Sequence, residues 1–190
     1  MAEKKRCEWC LKDQLYKDYH DYEWGIPVHD DTKLFEMLNL EGAQAGLSWY
    51  TVLKKRENYR IAFDAWDAQK IVKYEEKKVL ELLQNSGIIR NQLKIRAVIN
   101  NAYAFLSIQQ SHGSFNDYLW NFVENKQIIN NWEKMEEIPA KTTISDQMSK
   151  DLKKKGFKFV GSTICYAFMQ ATGMINDHLR YCWKRSEGGF

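Results

Sequence analysis

Proline is nearly missing from this 190-residue chain, which has only Pro27 and Pro139. Long stretches are therefore free to be helical. An excess of one charge is missing too. The 28 Lys and Arg stand against 25 Asp and Glu, a net charge of +3, so the total charge demands no polyanionic partner. No run approaches a membrane span: the longest apolar stretch, near 159–169, is broken by Gly161, Ser162 and Thr163. The opening MAEKKRCEWC is charged and lacks the apolar core of a signal peptide. A soluble, cytoplasmic protein with no membrane partner is expected. Its four cysteines should then be reduced, which favours metal binding or burial over a disulfide. Large rings, by contrast, are plentiful. Seven Trp, ten Tyr and nine Phe exclude a disordered chain and suggest that some rings serve a binding site as well as the core.

The hydrophobic pattern is helical almost throughout, and the expected fold class is all-α. Leu34, Phe35, Met37, Leu38 and Leu40 form an apolar face after the cap-like Asp30-Asp31-Thr32. Ser48 can cap a helix carrying Trp49, Val52, Leu53 and later Phe63. Val79 to Leu83 mark another, stopped by Asn85-Ser86-Gly87. The clearest follows Asn91, with Ile95, Val98, Ile99, Ala102, Phe105 and Leu106 in register. It is closed by His112-Gly113-Ser114, which opens a helix with Phe115, Tyr118, Leu119 and Phe122. Residues 126–144 show no clean period and read as loop or short turns. Ser145 is expected to cap a helix to Lys155. A turn over Gly156 to Gly161 leads into a helix from Ile164 to Ala171, apolar nearly all round and so the expected buried centre. Asn176 or Asp177 is expected to cap a final short helix. No strand of useful length is read.

Three local features point to chemistry. Basic residues cluster at Arg90, Lys94 and Arg96, and again in the five lysines from Lys150 to Lys158; such patches can hold phosphates or be solvated helix faces. His178 and Cys182, four apart, would share one face of a helix. With two of Cys7, Cys10 and His20 they could close a tetrahedral metal site stapling the two ends of the chain. Cys7 with Cys10 is a rival pairing, His29 or Cys165 could be recruited, and Cys165 reads first as core. Third, the ring-rich segment from Leu15 to Gly25 is irregular enough to wall a pocket. Glu41 stands before Gly42 and a run of small residues to Trp49. A carboxylate beside rings suits a flat, cationic aromatic ligand, whereas the plain alternative is a solvent-exposed helix-end Glu.

The chain resembles the bacterial 3-methyladenine DNA glycosylase I family, within the helix-hairpin-helix glycosylase group. The matching stretches are Arg6-Cys7, YKDYHDYEWG from Tyr16, KLFEMLNLE from Lys33, QAGLSWYTVLKKRENY from Gln44, Gly87 to Arg90, LKKKGFKFVGSTIC from Leu152, and Asn176-Asp177-His178. They span nearly the whole chain, taken as a single domain over 1–190 with the pocket between two helical lobes. The resemblance implies a hydrolase of base-excision repair that cleaves the N-glycosidic bond of 3-methyladenine in damaged double-stranded DNA. An abasic site is left and the strand is not cut. It implies a structural zinc on Cys7, His20, His178 and Cys182, leaving Cys10 out, and a base pocket of Glu41, Tyr16, Tyr19, Trp49 and Trp9. Ala43 stands where the family pattern has a larger polar residue, so the contact to the gap in DNA is expected to differ. The DNA-binding hairpin falls on Gly156 to Gly161, with Lys153, Lys154, Lys155 and Lys158 adding charge. Leu47 is positioned to wedge into the space left by the extruded nucleotide.

N3 methylation makes the adenine cationic in DNA and a neutral leaving group, so the enzyme needs chiefly to flip and hold the base. Glu41 is the catalytic candidate, for recognition and electrostatic assistance. Asp177 lies near where many helix-hairpin-helix glycosylases carry a catalytic Asp, but the family lacks that Asp. Asp177 reads as a helix cap, and no nucleophile is assigned. A zinc-stapled, non-catalytic damage sensor is the alternative from another class, and a lyase would need an amine nucleophile that no lysine supplies. A monomer is expected.

Overall fold

The computed structural model describes residues 4–187. Most of its helices begin where a short polar side chain takes up a free N–H of the first turn. After a 3-10 turn at Glu8–Cys10, Asp13 accepts from the Tyr16 N–H and opens α1 (Gln14–Tyr22), so most of the ring-rich segment read as irregular is helical. Asp30 opens α2 (Asp31–Gln44) through Lys33, and Ser48 opens α3 (Trp49–Leu53) through Thr51. α4 (Arg56–Ala62), α5 (Ala68–Ile71) and α6 (Glu76–Gln84) follow. Asn91 accepts from the Lys94 N–H to start α7 (Gln92–His112), and Ser114 starts α8 (Phe115–Trp120).

The remainder corrects the sequence reading in three places. Ile128–Ile129 is a strand, β1, paired in parallel with β2 (Ile175–Asn176), Ile128 opposite Ile175. Two residues are too short to display the alternation by which a strand is recognised. The cap of α9 (Thr143–Lys154) is Thr142 rather than Ser145. Ser145 is the third helical residue and its Oγ accepts from the Thr142 N–H, a reciprocal capping box. No helix starts at Asn176 or Asp177: Asn176 lies in β2, and residues 177–182 are turn and irregular chain before α11 (Trp183–Glu187).

α10 (Ser162–Ala171) packs on both α9 and α2, and buries Cys165, Tyr166, Phe168, Met169 and Ala171. It is the centre that its all-round apolarity implied, and Cys165 is core. Each large side chain so buried contributes roughly 1.5–3 kcal/mol. α7 runs alongside α2, α5, α6 and α8. Among the described residues no helix is long and apolar enough to cross a membrane.

Candidate active site

α1, the end of α2, the start of α3 and one face of α10 enclose a cleft of about 350 Å³, roofed by the 135–140 segment. Helical spacing puts Tyr16 and Tyr19 of α1 on this side, and the Ser48 cap turns Trp49 inward. The rings form one continuous wall. Trp9 lies edge-on to Tyr16 (4.9 Å between centroids) and to Trp24 (5.1 Å), and Tyr19 lies 5.4 Å from Trp49. All five pocket residues anticipated from the family pattern therefore meet here, and Trp24, Gln44, Tyr166 and Gln170 join them. Of these additions Trp24 lies in the ring-rich segment already read as a pocket wall, whereas the sequence reading does not anticipate Gln44, Tyr166 and Gln170 as pocket residues.

Glu41 is not a solvent-exposed helix-end residue. It is 2 % exposed, and its Oε2 has no hydrogen-bond partner within the protein. Burial pushes its pKa up to about 8. Trp49 Nε1, a donor, is also buried without a partner. An orphaned acceptor and an orphaned donor at one cleft are costly in a packed protein unless a ligand satisfies them. Burial, with Glu41 nearby, also pushes the Tyr16 and Tyr19 hydroxyls upward, so both rings stay neutral at physiological pH.

Asp177 is no helix cap. Its Oδ1 accepts from Asn130 Nδ2 and Trp132 Nε1, both at 2.7 Å, and its Oδ2 from the Tyr166 hydroxyl (2.6 Å) and Gln170 Nε2 (2.8 Å). With four donors on it, this buried carboxylate braces the wall of the cleft that α10 forms.

Behind the rings lies a buried group, Cys7, His20, His178 and Cys182, whose ligand atoms all sit within 4.8 Å of one another and could hold a metal ion. Cys182 Sγ is 3.4 Å from His20 Nε2 and 3.6 Å from His178 Nδ1, and Cys7 Sγ is 3.8 Å from His178 Nδ1. His178 and Cys182 converge from a turn, not from one helix face. The far ring nitrogens are also engaged: His20 Nδ1 donates to Asp21 Oδ1 and His178 Nε2 to the Trp24 carbonyl. Cys10, the rival ligand, is turned away, and its thiol donates to the Cys7 carbonyl. His29 is bonded to Asn116 instead. The hydrogen bond from the Cys7 thiol pulls Cys182 well below the usual thiol range and pushes Cys7 above it.

Two exposed features flank the cleft. Leu47 is 41 % exposed on a tight turn whose Gly46 has φ +78°, a conformation that favours glycine. Between α9 and α10, residues 155–161 form a turn with Gly156 at φ +101° and Phe159 at φ +56°. Lys155 and Lys158 are exposed on it, and Gly161 stands before the free N–H groups of α10 in open space. Asn101 of α7 clamps this turn: its Oδ1 accepts from the Lys158 N–H (2.7 Å) and its Nδ2 donates to the Lys158 carbonyl (3.2 Å). The turn also touches α2, because a side chain at Gly42 would come within 3.1 Å of Phe159 Cβ. Ala43 is buried near the end of α2. Of the 90–96 basic cluster, Arg96 is paired with Glu76, Lys94 is bonded to main-chain carbonyls, and Arg90 is exposed.

A helical protein whose ring-walled cleft ends on an unsatisfied carboxyl group has a pocket lining suited to flat, amino-bearing heterocycles. Comparison with known proteins narrows that class. The model of the methyladenine glycosylase family matches residues 9–185, and the chain belongs to this family. It is 52% identical over 178 residues to DNA-3-methyladenine glycosylase 1 of Escherichia coli (strain K12), covering 94% of this chain and 95% of that protein. A crystal structure of 3-methyladenine DNA glycosylase I superposes with a TM-score of 0.92 at 53% identity, covering 94% of this chain and 98% of the other. A structure of the Staphylococcus aureus 3-methyladenine DNA glycosylase I, described as the structural basis of 3-methyladenine recognition, gives 0.92 at 36% identity, covering 95% and 96%.

Proposed function

We propose that this chain is a base-excision repair hydrolase that releases 3-methyladenine from alkylated double-stranded DNA, leaving an abasic site and an uncut strand. The observation that carries the reading is the orphaned, buried Glu41 carboxyl facing a wall of rings. The extruded base stacks on Trp9, Tyr16, Tyr19 and Trp49, whose ring faces attract its positive charge. Glu41 accepts from the exocyclic amino group. As the cation enters, Glu41 ionises, its proton leaves to solvent, and the carboxylate offsets the charge of the ring. The bond between the base nitrogen and the sugar then breaks with its electron pair going to the base, which departs neutral. Water adds to the sugar carbon and loses its proton to solvent. Glu41 is the catalytic group of this reading, with no protein nucleophile. Among the described residues no lysine lines the cleft, which speaks against a lyase.

The turn 155–161 with α9 and α10 serves as a helix-hairpin-helix unit. Backbone N–H groups near Gly156 and Gly161 approach phosphate oxygens, Lys155 and Lys158 add charge, and Leu47 fills the vacated stack. The Cys7, His20, His178 and Cys182 group fits zinc. A tetrahedral zinc with sulfur and nitrogen ligands has edges of about 3.4 to 3.8 Å; three sulfur–nitrogen separations in the group are 3.4, 3.6 and 3.8 Å, and all four donors lie within 4.8 Å of one another. With both histidines oriented from behind, such an ion would be structural, tying the segment before α1 to the one before α11. We read the chain as one cytoplasmic glycosylase domain acting as a monomer.

Purified protein incubated with methylated duplex DNA should release 3-methyladenine, identified by chromatography, with little 7-methylguanine. Binding of free 3-methyladenine without release from DNA would instead make the protein a damage sensor.

A further inference from the structure

Lys94 is a basic residue of the 90–96 cluster that the phosphate-binding reading does not absorb. It lies in the first turn of α7, half-buried, and forms no ion pair among the described residues. Its ammonium instead donates to the carbonyls of Ala43 (2.8 Å) and Ala45 (2.6 Å). These carbonyls belong to the end of α2, where helix geometry leaves acceptors unpaired and the dipole is negative. The next residues are Gly46 and Leu47, held by a bond from the Leu47 N–H to the Gln44 carbonyl (2.6 Å). The Leu47 turn thus has a cation seated beneath it, delivered from a different helix, while its own residues are small. Burial lowers the Lys94 pKa, in keeping with an ammonium partly withdrawn from water to serve these carbonyls.

We propose that Lys94 is a positioning residue: it caps α2 from α7 and thereby sets the height and angle at which Leu47 meets DNA. This rests on the reading of Leu47 as the wedge. Lys94 touches neither the base nor the cleft beside Glu41. Its loss should therefore separate base binding from base extrusion.

Lys94→Met, Lys94→Arg and Leu47→Ala are compared in the full chain by three measurements. These are binding of free 3-methyladenine followed by tryptophan fluorescence, kcat/KM on methylated duplex DNA at several salt concentrations, and hydrogen exchange across 44–48. Lys94→Met should bind the free base within about twofold of the parent yet lose about tenfold or more in kcat/KM on duplex, the scale of a lost charge-assisted hydrogen bond. Exchange at Leu47 should quicken, and Lys94→Arg, which keeps two donors for the carbonyls, should restore both properties. Unchanged duplex excision by Lys94→Met, alongside a loss in Leu47→Ala, overturns the proposal and leaves the wedge standing. Full activity of Leu47→Ala overturns the wedge and the proposal with it. Equal loss of free-base binding and excision would make Lys94 generally structural. A salt slope shallower by about one, with unchanged exchange at Leu47, would make it a phosphate ligand. Each of the last two results also overturns the proposal.

Discussion

Replacing Glu41 with Gln should make the protein more stable in alkali and less active. In the folded chain burial raises the Glu41 pKa from 4.5 to about 8. Below pH about 4.5 the carboxyl is protonated in both the folded and unfolded states, and its titration does not affect stability. Between that pH and 8 the unfolded chain ionises while the folded one keeps its proton, so stability falls as pH rises. Above 8 both states are ionised and the penalty is complete. Each tenfold change in proton affinity is worth about 1.4 kcal/mol, which sets a ceiling near 5 kcal/mol. Water in the open cleft relaxes the charge, and about 1–3 kcal/mol at pH 9 is expected. For a domain of this size that is a difference in Tm of roughly 2–12 °C. Urea denaturation of parent and Glu41→Gln at pH 5, 7 and 9 should give stability curves that diverge in favour of the variant as pH rises. Parallel curves would refute the reasoning, since a carboxyl that titrates normally contributes no such slope. On methylated duplex the parent's kcat/KM should climb with pH and level off above about 8, because the ionised form holds the cation. The variant should be flat and lower by about tenfold or more.

Other outcomes follow from the same geometry. Cys7→Ala should abolish bound zinc and lower Tm by metal analysis and thermal denaturation, whereas Cys10→Ala should keep one ion per chain; metal loss in the latter would reassign the ligand. Gly173→Ala should cost about 3 kcal/mol or more in urea, because Gly173 has φ +70° and a Cβ there would lie 2.2 Å from the Ile26 carbonyl carbon; a near-neutral result would show that the 26–27 segment can shift. Lys155→Ala and Lys158→Ala should each flatten the dependence of log affinity for DNA on log salt by about one while leaving free-base binding alone. An unchanged slope would remove that lysine from the DNA contact.

Helix starts were legible because a cap acts within three residues. Asp30, Ser48, Asn91 and Ser114 each accept from the N–H three positions on, as their chemistry suggests. At α9 the sequence reading places the cap on Ser145, whereas Thr142 caps the helix and the two side chains bond reciprocally; residue type alone does not rank them. α10 could be called central because a helix apolar all round has nowhere to go but inside. The rings of the cleft stood out by composition, and the family pattern selected Cys7 over Cys10.

By itself, then, the sequence determined the helical class, the starts of α2, α3, α7 and α8, the ring-rich pocket residues and the family, since these depend on short-range periodicity or on the identity of a motif. Tertiary structure alone decided the charge state of Glu41, the four-donor role of Asp177, the turn that brings His178 to Cys182, the β1–β2 pair and the capping of α2 by Lys94. Apart from the His178–Cys182 turn, each of these depends on which segments meet across long stretches of chain. A residue's solvation and partners are set by that packing, and no local pattern records them.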